Sequence, residues 1–91
     1  MCKKFTELGL EDVHIDGLGN AMGTLKGIGE AGTILIEAHM DTVFPLGSVK
    51  ERPVIDEEGI IHCPGIGDNT RGLAVVLAVL RAMKETGIKP K

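Results

Sequence analysis

His39 and Asp41 are the first residues in the chain whose types and spacing suit chemistry. They close the stretch Ile34-Leu35-Ile36-Glu37-Ala38-His39-Met40-Asp41-Thr42-Val43-Phe44-Pro45, whose apolar start reads as a short strand. In extended chain, side chains two apart point the same way. His39 and Asp41 therefore share one side where the strand runs out. A metal-bound imidazole usually gives its second ring N–H to a carboxylate, which fixes the tautomer and raises the basicity. Ligand sites in open α/β sheets tend to lie outside the carboxyl ends of strands. A surface His–Asp hydrogen bond uses the same pattern, and the spacing alone does not separate the two.

Asp68 is the other candidate for chemistry. It stands in Gly65-Ile66-Gly67-Asp68-Asn69, an irregular approach to a helix from about Thr70 to Thr86. Asp68, Asn69 or Thr70 can serve as its N-cap, so Asp68 needs no function to be there. If Asn69 or Thr70 caps instead, the Asp68 carboxylate is free to bridge two metal ions roughly 3.5–4 Å apart. Gly65, Gly67 and Gly72 let backbone pass close to something.

Several elements must position these residues. Phe5 and Leu8 suggest a first helix stopped by Gly9. Val13 to Asp16 alternates as a half-buried strand does, and Asn20 to Lys26 reads as its hairpin partner, with Gly23 inside it. Residues 27–32 read as a flexible loop. Thr33 to Ala38 is the third strand, and its Ile-Leu-Ile run suits burial on both faces at a sheet centre. Residues 46–52 read as a loop. Residues 53–56 and 60–63 flank Glu57-Glu58-Gly59 as a second hairpin with Gly59 at positive φ. Leu73 to Leu80 is apolar all round, so the Thr70–Thr86 helix should be buried on most sides. Gly87 suits its end. The fold class expected is α/β: a mixed sheet with Ile34–Ala38 near its centre and a buried helix packed on one face. Gly17-x-Gly and Gly27-x-Gly lack the strand–helix setting of phosphate loops and read as turn glycines.

At 91 residues the chain is one domain at most, with an apolar fraction of 43%. Phe5 and Phe44 are the whole aromatic content, so a core must come from Val, Ile, Leu, Ala and Met. The net charge is −3 with signs interleaved, and no basic cluster or aromatic platform points to nucleic acid. Leu73 to Leu80 is far short of the roughly 20 residues that span a bilayer, so no membrane partner is expected. The start lacks the apolar core of a signal peptide, and Cys2 and Cys63 make no disulfide framework. A cytoplasmic location is the expectation.

His39-Met40-Asp41-Thr42-Val43-Phe44-Pro45, followed by Gly65-Ile66-Gly67-Asp68-Asn69-x-x-Gly72-Leu73-Ala74, resembles the co-catalytic zinc peptidase family of aminoacylase, carboxypeptidase G, peptidase T and acetylornithine deacetylase. The resemblance covers nearly the whole chain. It implies a three-layer catalytic domain and hydrolysis of a peptide or N-acyl amide bond through a metal-bridging hydroxide. It also implies two Zn2+ per complete site, with Co2+ or Mn2+ as substitutes. By position, His39 would be a ligand to one zinc and Asp68 would bridge both. Asp41 would be the catalytic partner that orients the His39 imidazole. A peptide or N-acyl amino acid is the implied substrate, and a homodimer is compatible with the full-length protein.

The departures are as informative. The family uses a later Glu-Glu pair, whose first glutamate is the general base and second a ligand, and then a further carboxylate and histidine. The sequence reaches Lys91 before any of these is expected to appear. Glu57-Glu58 precedes Asp68 beside a turn glycine and reads as a solvated hairpin tip. Ala38 and Cys63 stand where glycine is commoner in the family, with small packing changes expected. His14 reads as exposed. His62-Cys63 are neighbours that face opposite ways in a strand, which disfavours a shared ion. Residues 1–91 are therefore expected to be the amino-terminal part of a single catalytic domain, truncated at both ends and inactive alone. The alternative is a non-catalytic α/β module that keeps the fold and acts by interaction. A shared metal site further requires His39 and Asp68 to converge, with Asp41 on the far side of the ring.

Overall fold

The computed structural model describes residues 1–48 and 54–91. The chain forms two compact units, residues 1–35 with 77–91, and residues 36–76.

In the first unit, α1 spans Cys2–Glu7, β1 Glu11–Ile15 and β2 Ala21–Thr24. Two hydrogen bonds close α1: Leu10 N–H donates to the Phe5 carbonyl and Gly9 N–H to the Thr6 carbonyl, both at 3.0 Å. Gly9 sits at φ +83°, the left-handed residue that such an ending requires. Phe5 and Leu10, the apolar ends of that closure, then lie directly on Gly23 of β2. A Cβ at Gly23 would stand 2.9 Å from Leu10 Cδ2 and 3.2 Å from Phe5 Cδ2. The missing side chain inside the strand is thus the seat of α1. β1 and β2 are antiparallel, with His14 opposite Met22 and Ile15 opposite Ala21. The register slips between Glu11 and His14, where Asp12 takes φ +50°, as at a β-bulge. The expected flexible loop at 27–32 is instead tied at one point: Ile28 N–H donates to the Pro90 carbonyl at 2.8 Å.

In the second unit, β3 (Val54–Ile55) pairs antiparallel with β4 (Ile61–His62). Residues 49–53 of the expected loop and strand start lie outside the described residues. Gly59 has φ +81°, and Glu57-Glu58 occupies the exposed tip. An irregular turn, Ile66–Thr70, leads to α2, Arg71–Thr86, with Asp68 and Asn69 outside helical φ/ψ. Gly87 ends α2 at φ +73°.

The two hairpins share one turn design that the sequence reading did not extract. Asp16 Oδ1 accepts from the backbone N–H groups of Leu18 and Asn20, both at 2.9 Å. Asp56 Oδ1 accepts from those of Glu58 at 2.9 Å and Ile60 at 3.0 Å. Each aspartate enters the turn and satisfies amides that the reversal leaves unpaired. Bonds to Asn20 and Leu18 hold the Asp16 carboxyl below its ordinary value, and for Asp56 the largest cause of the same lowering is the His62 side chain, followed by the turn amides.

The α/β class stands: the described residues form two helices and two small antiparallel sheets. Two expectations are corrected. Thr33–Ala38 joins no ladder, and Ile34, Leu35 and Ile36 are 83%, 77% and 64% exposed. A central strand needs partners on both edges. β1 with β2 and β3 with β4 satisfy each other, so among the described residues no mixed sheet forms around it. The helix seated on a sheet is α1, and α2 is not buried on most sides. Gly72, Leu73, Val76, Leu77, Leu80 and Met83 form one half-buried stripe, while Val75 and Val79 face out. No described residue is fully buried.

Because both turn carboxyls are lowered, their contribution to hairpin stability is complete above the ordinary carboxylate value. It is lost as pH falls through the lowered one. Amide exchange in the full-length protein should show Leu18 and Asn20 protected down to that range. Asp16→Ala should remove the protection at neutral pH; unchanged exchange at both amides in Asp16→Ala would refute the turn's dependence on its carboxylate.

Candidate functional site

The end of the extended run and the turn before α2 meet inside the second unit. His39 Nε2 lies 2.9 Å from Asp68 Oδ1. Its other nitrogen, Nδ1, lies 3.1 Å from the Asp41 backbone carbonyl and 3.4 Å from Asp41 Oδ1. The three residues singled out from sequence thus converge, with Asp41 on the ring nitrogen that does not face Asp68. The closest partner on that nitrogen is the Asp41 carbonyl, with the carboxylate behind it, which the side-chain spacing alone did not reveal. Asp68 turns toward His39, so the capping alternative for its side chain is not the one adopted.

With oxygen acceptors on both ring nitrogens, the imidazolium form is favoured, since it can donate from both. The Asp41 carbonyl chiefly lifts the His39 pKa above the ordinary histidine value, against partial desolvation, and Asp68 and then the Asp41 carboxylate add to the rise. The group is half exposed, at 52%, and Asp68 is 84% exposed. The site is therefore open, and water screens these pairings.

An imidazole nitrogen and a carboxylate oxygen in mutual reach are a suitable donor pair for zinc. Two ligands of one tetrahedral zinc sit roughly 3.3–3.5 Å apart, and the observed 2.9 Å suits a proton held between the groups. Among the described residues, no set of three or more His, Cys, Asp or Glu is gathered for a metal. The residues present thus fit a metal as part of a ligand set.

Two of the three flanking glycines have defined roles. Gly65, at φ +78°, faces Thr42, whose Cγ2 would stand 2.6 Å from a Cβ there. At Gly72 a Cβ would collide with Oδ1 of Asn69. What comes close at each is a side chain rather than backbone. Gly67 has open space around it. The Asn69 side chain also donates from Nδ2 to the His39 carbonyl at 3.4 Å. Asn69 and Thr42 were not singled out from sequence for this; the glycines opposite them were the available signal.

The remaining candidates lie elsewhere. His14 is exposed, with Nδ1 at 2.6 Å from the Asp12 carbonyl. His62 Nε2 faces Asp56 Oδ2 at 2.9 Å across the second hairpin. Cys2 and Cys63 are free thiols.

His39, Asp41 and Asp68 all fall inside residues 35–91, which match the model of Peptidase family M20/M25/M40. The chain belongs to that family. Among curated relatives, the uncharacterized protein YqjE of Bacillus subtilis (strain 168) is 35% identical over 98 aligned residues, covering 96% of this chain and 26% of that protein. Carboxypeptidase G2 of Pseudomonas sp. (strain RS-16) is 37% identical over 70 residues, covering 77% of this chain and 17% of the relative. The chain therefore spans about a quarter or less of the length of these relatives.

A histidine raised in this way keeps its imidazolium pairings intact below the ordinary histidine value and loses them as pH rises through the raised one. In a metal-free preparation, the His39 ring-proton NMR titration should therefore have its midpoint above the ordinary value. Asp68→Asn should lower that midpoint while leaving part of the rise, since the Asp41 carbonyl remains. A midpoint at or below the ordinary value in the unaltered protein would contradict the geometry.

Proposed function

We propose that these residues are the amino-terminal part of the three-layer catalytic domain of a dinuclear zinc hydrolase that cleaves peptide or N-acyl amide bonds. The carrying observation is His39 Nε2 at 2.9 Å from Asp68 Oδ1, with Asp41 on the opposite ring nitrogen. Family membership supports the hydrolase class, and the likeness to a carboxypeptidase favours a peptide-like amide. A reducing cytoplasm suits the two free thiols, and a homodimer of the full-length protein suits the same reading.

His39 would hold one metal through Nε2, and Asp68 would share its carboxylate between two. When bound, the two cations would lower the pKa of a water and polarise the scissile carbonyl. Asp41 positions the ring: its carbonyl and carboxylate accept from Nδ1–H and so keep the proton on that nitrogen, which leaves the Nε2 lone pair for the ion. The proton that favours the His39–Asp68 pairing must leave Nε2 first, so metal uptake should improve with rising pH. The general base is not supplied by Glu57-Glu58, which the hairpin tip keeps as a solvated pair.

In the full-length protein, Asp41→Asn should weaken zinc binding or turnover by about 10- to 100-fold, as expected for a partner that orients a ligand. His39→Ala and Asp68→Ala should cost more. Zinc affinity measured against a chromophoric chelator, with amide hydrolysis assayed in parallel, checks this. Equal affinity and turnover in Asp41→Asn and the unaltered protein would take Asp41 out of the mechanism.

Residues 1–91 alone should not turn over dipeptides or N-acetyl amino acids with zinc or cobalt, because groups that act as a unit leave little activity when most are missing. Turnover that survives purification and vanishes in His39→Ala would overturn that expectation. Failure of the full-length protein to bind zinc through His39 would instead favour the non-catalytic module.

A further inference from the structure

The ligand pair needs something to hold it, because His39 and Asp68 come from different segments and both are largely exposed. Among the described residues, two contacts besides the pair itself join those segments. Asn69, next to Asp68, donates its side-chain N–H to the backbone carbonyl of His39 at 3.4 Å. The bond is long, so it does not hold the position unaided. The Asn69 side chain also rests against Gly72, where a Cβ would collide with its amide. Gly72 therefore provides the room that this Asn69 rotamer occupies. The second contact runs the other way: Thr42, beyond His39, lays its methyl on Gly65, before Asp68. One contact is a pivot, whereas a second at different residues of the same two segments also resists rotation.

We propose that Asn69 seated on Gly72 and Thr42 seated on Gly65 are positioning residues that set the separation of His39 and Asp68. This rests on the reading of His39 and Asp68 as metal ligands. Each contact joins a residue near one ligand to the segment of the other, so displacing either one moves a ligand without touching its donor atom. Gly72 carries the sharpest consequence. It lies in the first turn of α2, where alanine would ordinarily favour the helix. Here an added methyl must push Asn69 away from the His39 carbonyl.

The experiment uses the full-length protein and zinc alone, with affinity read by chelator competition and helix content by circular dichroism. Asn69→Ala and Gly72→Ala should each lower zinc affinity by about 10-fold or more, the range for outer partners of metal ligands, while helix content is kept. The double variant should bind no more weakly than Asn69→Ala alone, because Gly72 has no further task once the amide is gone. Thr42→Ser, which removes the methyl and keeps the hydroxyl, should also weaken binding. Undiminished affinity in Asn69→Ala, or additive losses in the double variant, would overturn the positioning role while leaving the metal site in place. An unaltered protein whose zinc affinity does not depend on His39 would overturn the ligand reading and this inference together.

Discussion

A histidine held between two aspartates, one on each ring nitrogen, is the constraint around which the second unit is arranged. His39 and Asp41 occupy the end of an extended run, and Asp68 occupies a turn whose backbone leaves helical geometry before α2 begins. Among the described residues, neither segment joins a sheet or packs on a buried core. Their relation depends on short-range fits at Gly65 and Gly72, where the absence of a Cβ admits Thr42 and Asn69. Exposure keeps the imidazole in contact with water, and for the same reason screened attraction alone could not define its place.

What was legible in the sequence was local. Gly9 marked the end of α1 and Gly87 the end of α2, because a left-handed residue at a helix end has few alternatives. Both hairpins were readable from alternation around turn residues, and the start of α2 was off by one residue. The convergence of His39, Asp41 and Asp68 was readable from motif and residue type. Partners were less legible. The Ile34-Leu35-Ile36 run says that two faces are apolar, but not which strands would flank it, and here β1–β2 and β3–β4 close on themselves. The Asp56–His62 pairing was equally hidden, since it needs the cross-strand register of a hairpin whose strands are only two residues long. Gly23 was seen as an irregularity, whereas only the packed structure shows Phe5 and Leu10 lying on it.

The same economy recurs where the chain must turn without a core. Asp16 and Asp56 each cap their own reversal, and Asp12 and His14 close the bulge on β1 with a short side-chain bond to backbone. These are contacts within a few residues, which form early and need little help from the rest of the molecule. Regions built this way are defined locally even when the surrounding surface stays wet.

The bare stretch from Thr33 to Ala38 is different. It is extended, β-branched and apolar, and its single charge is Glu37. An uncovered run of this kind is a template for another strand, whether from the same chain or a neighbouring copy. Glu37 then has a second meaning as a gatekeeper that interrupts the sticky run just before the histidine. For a cell making this polypeptide, the moment of hazard falls between synthesis of the Ile-Leu-Ile segment and the arrival of whatever covers it. Until then, the charge carried within the run itself is the Glu37 carboxylate.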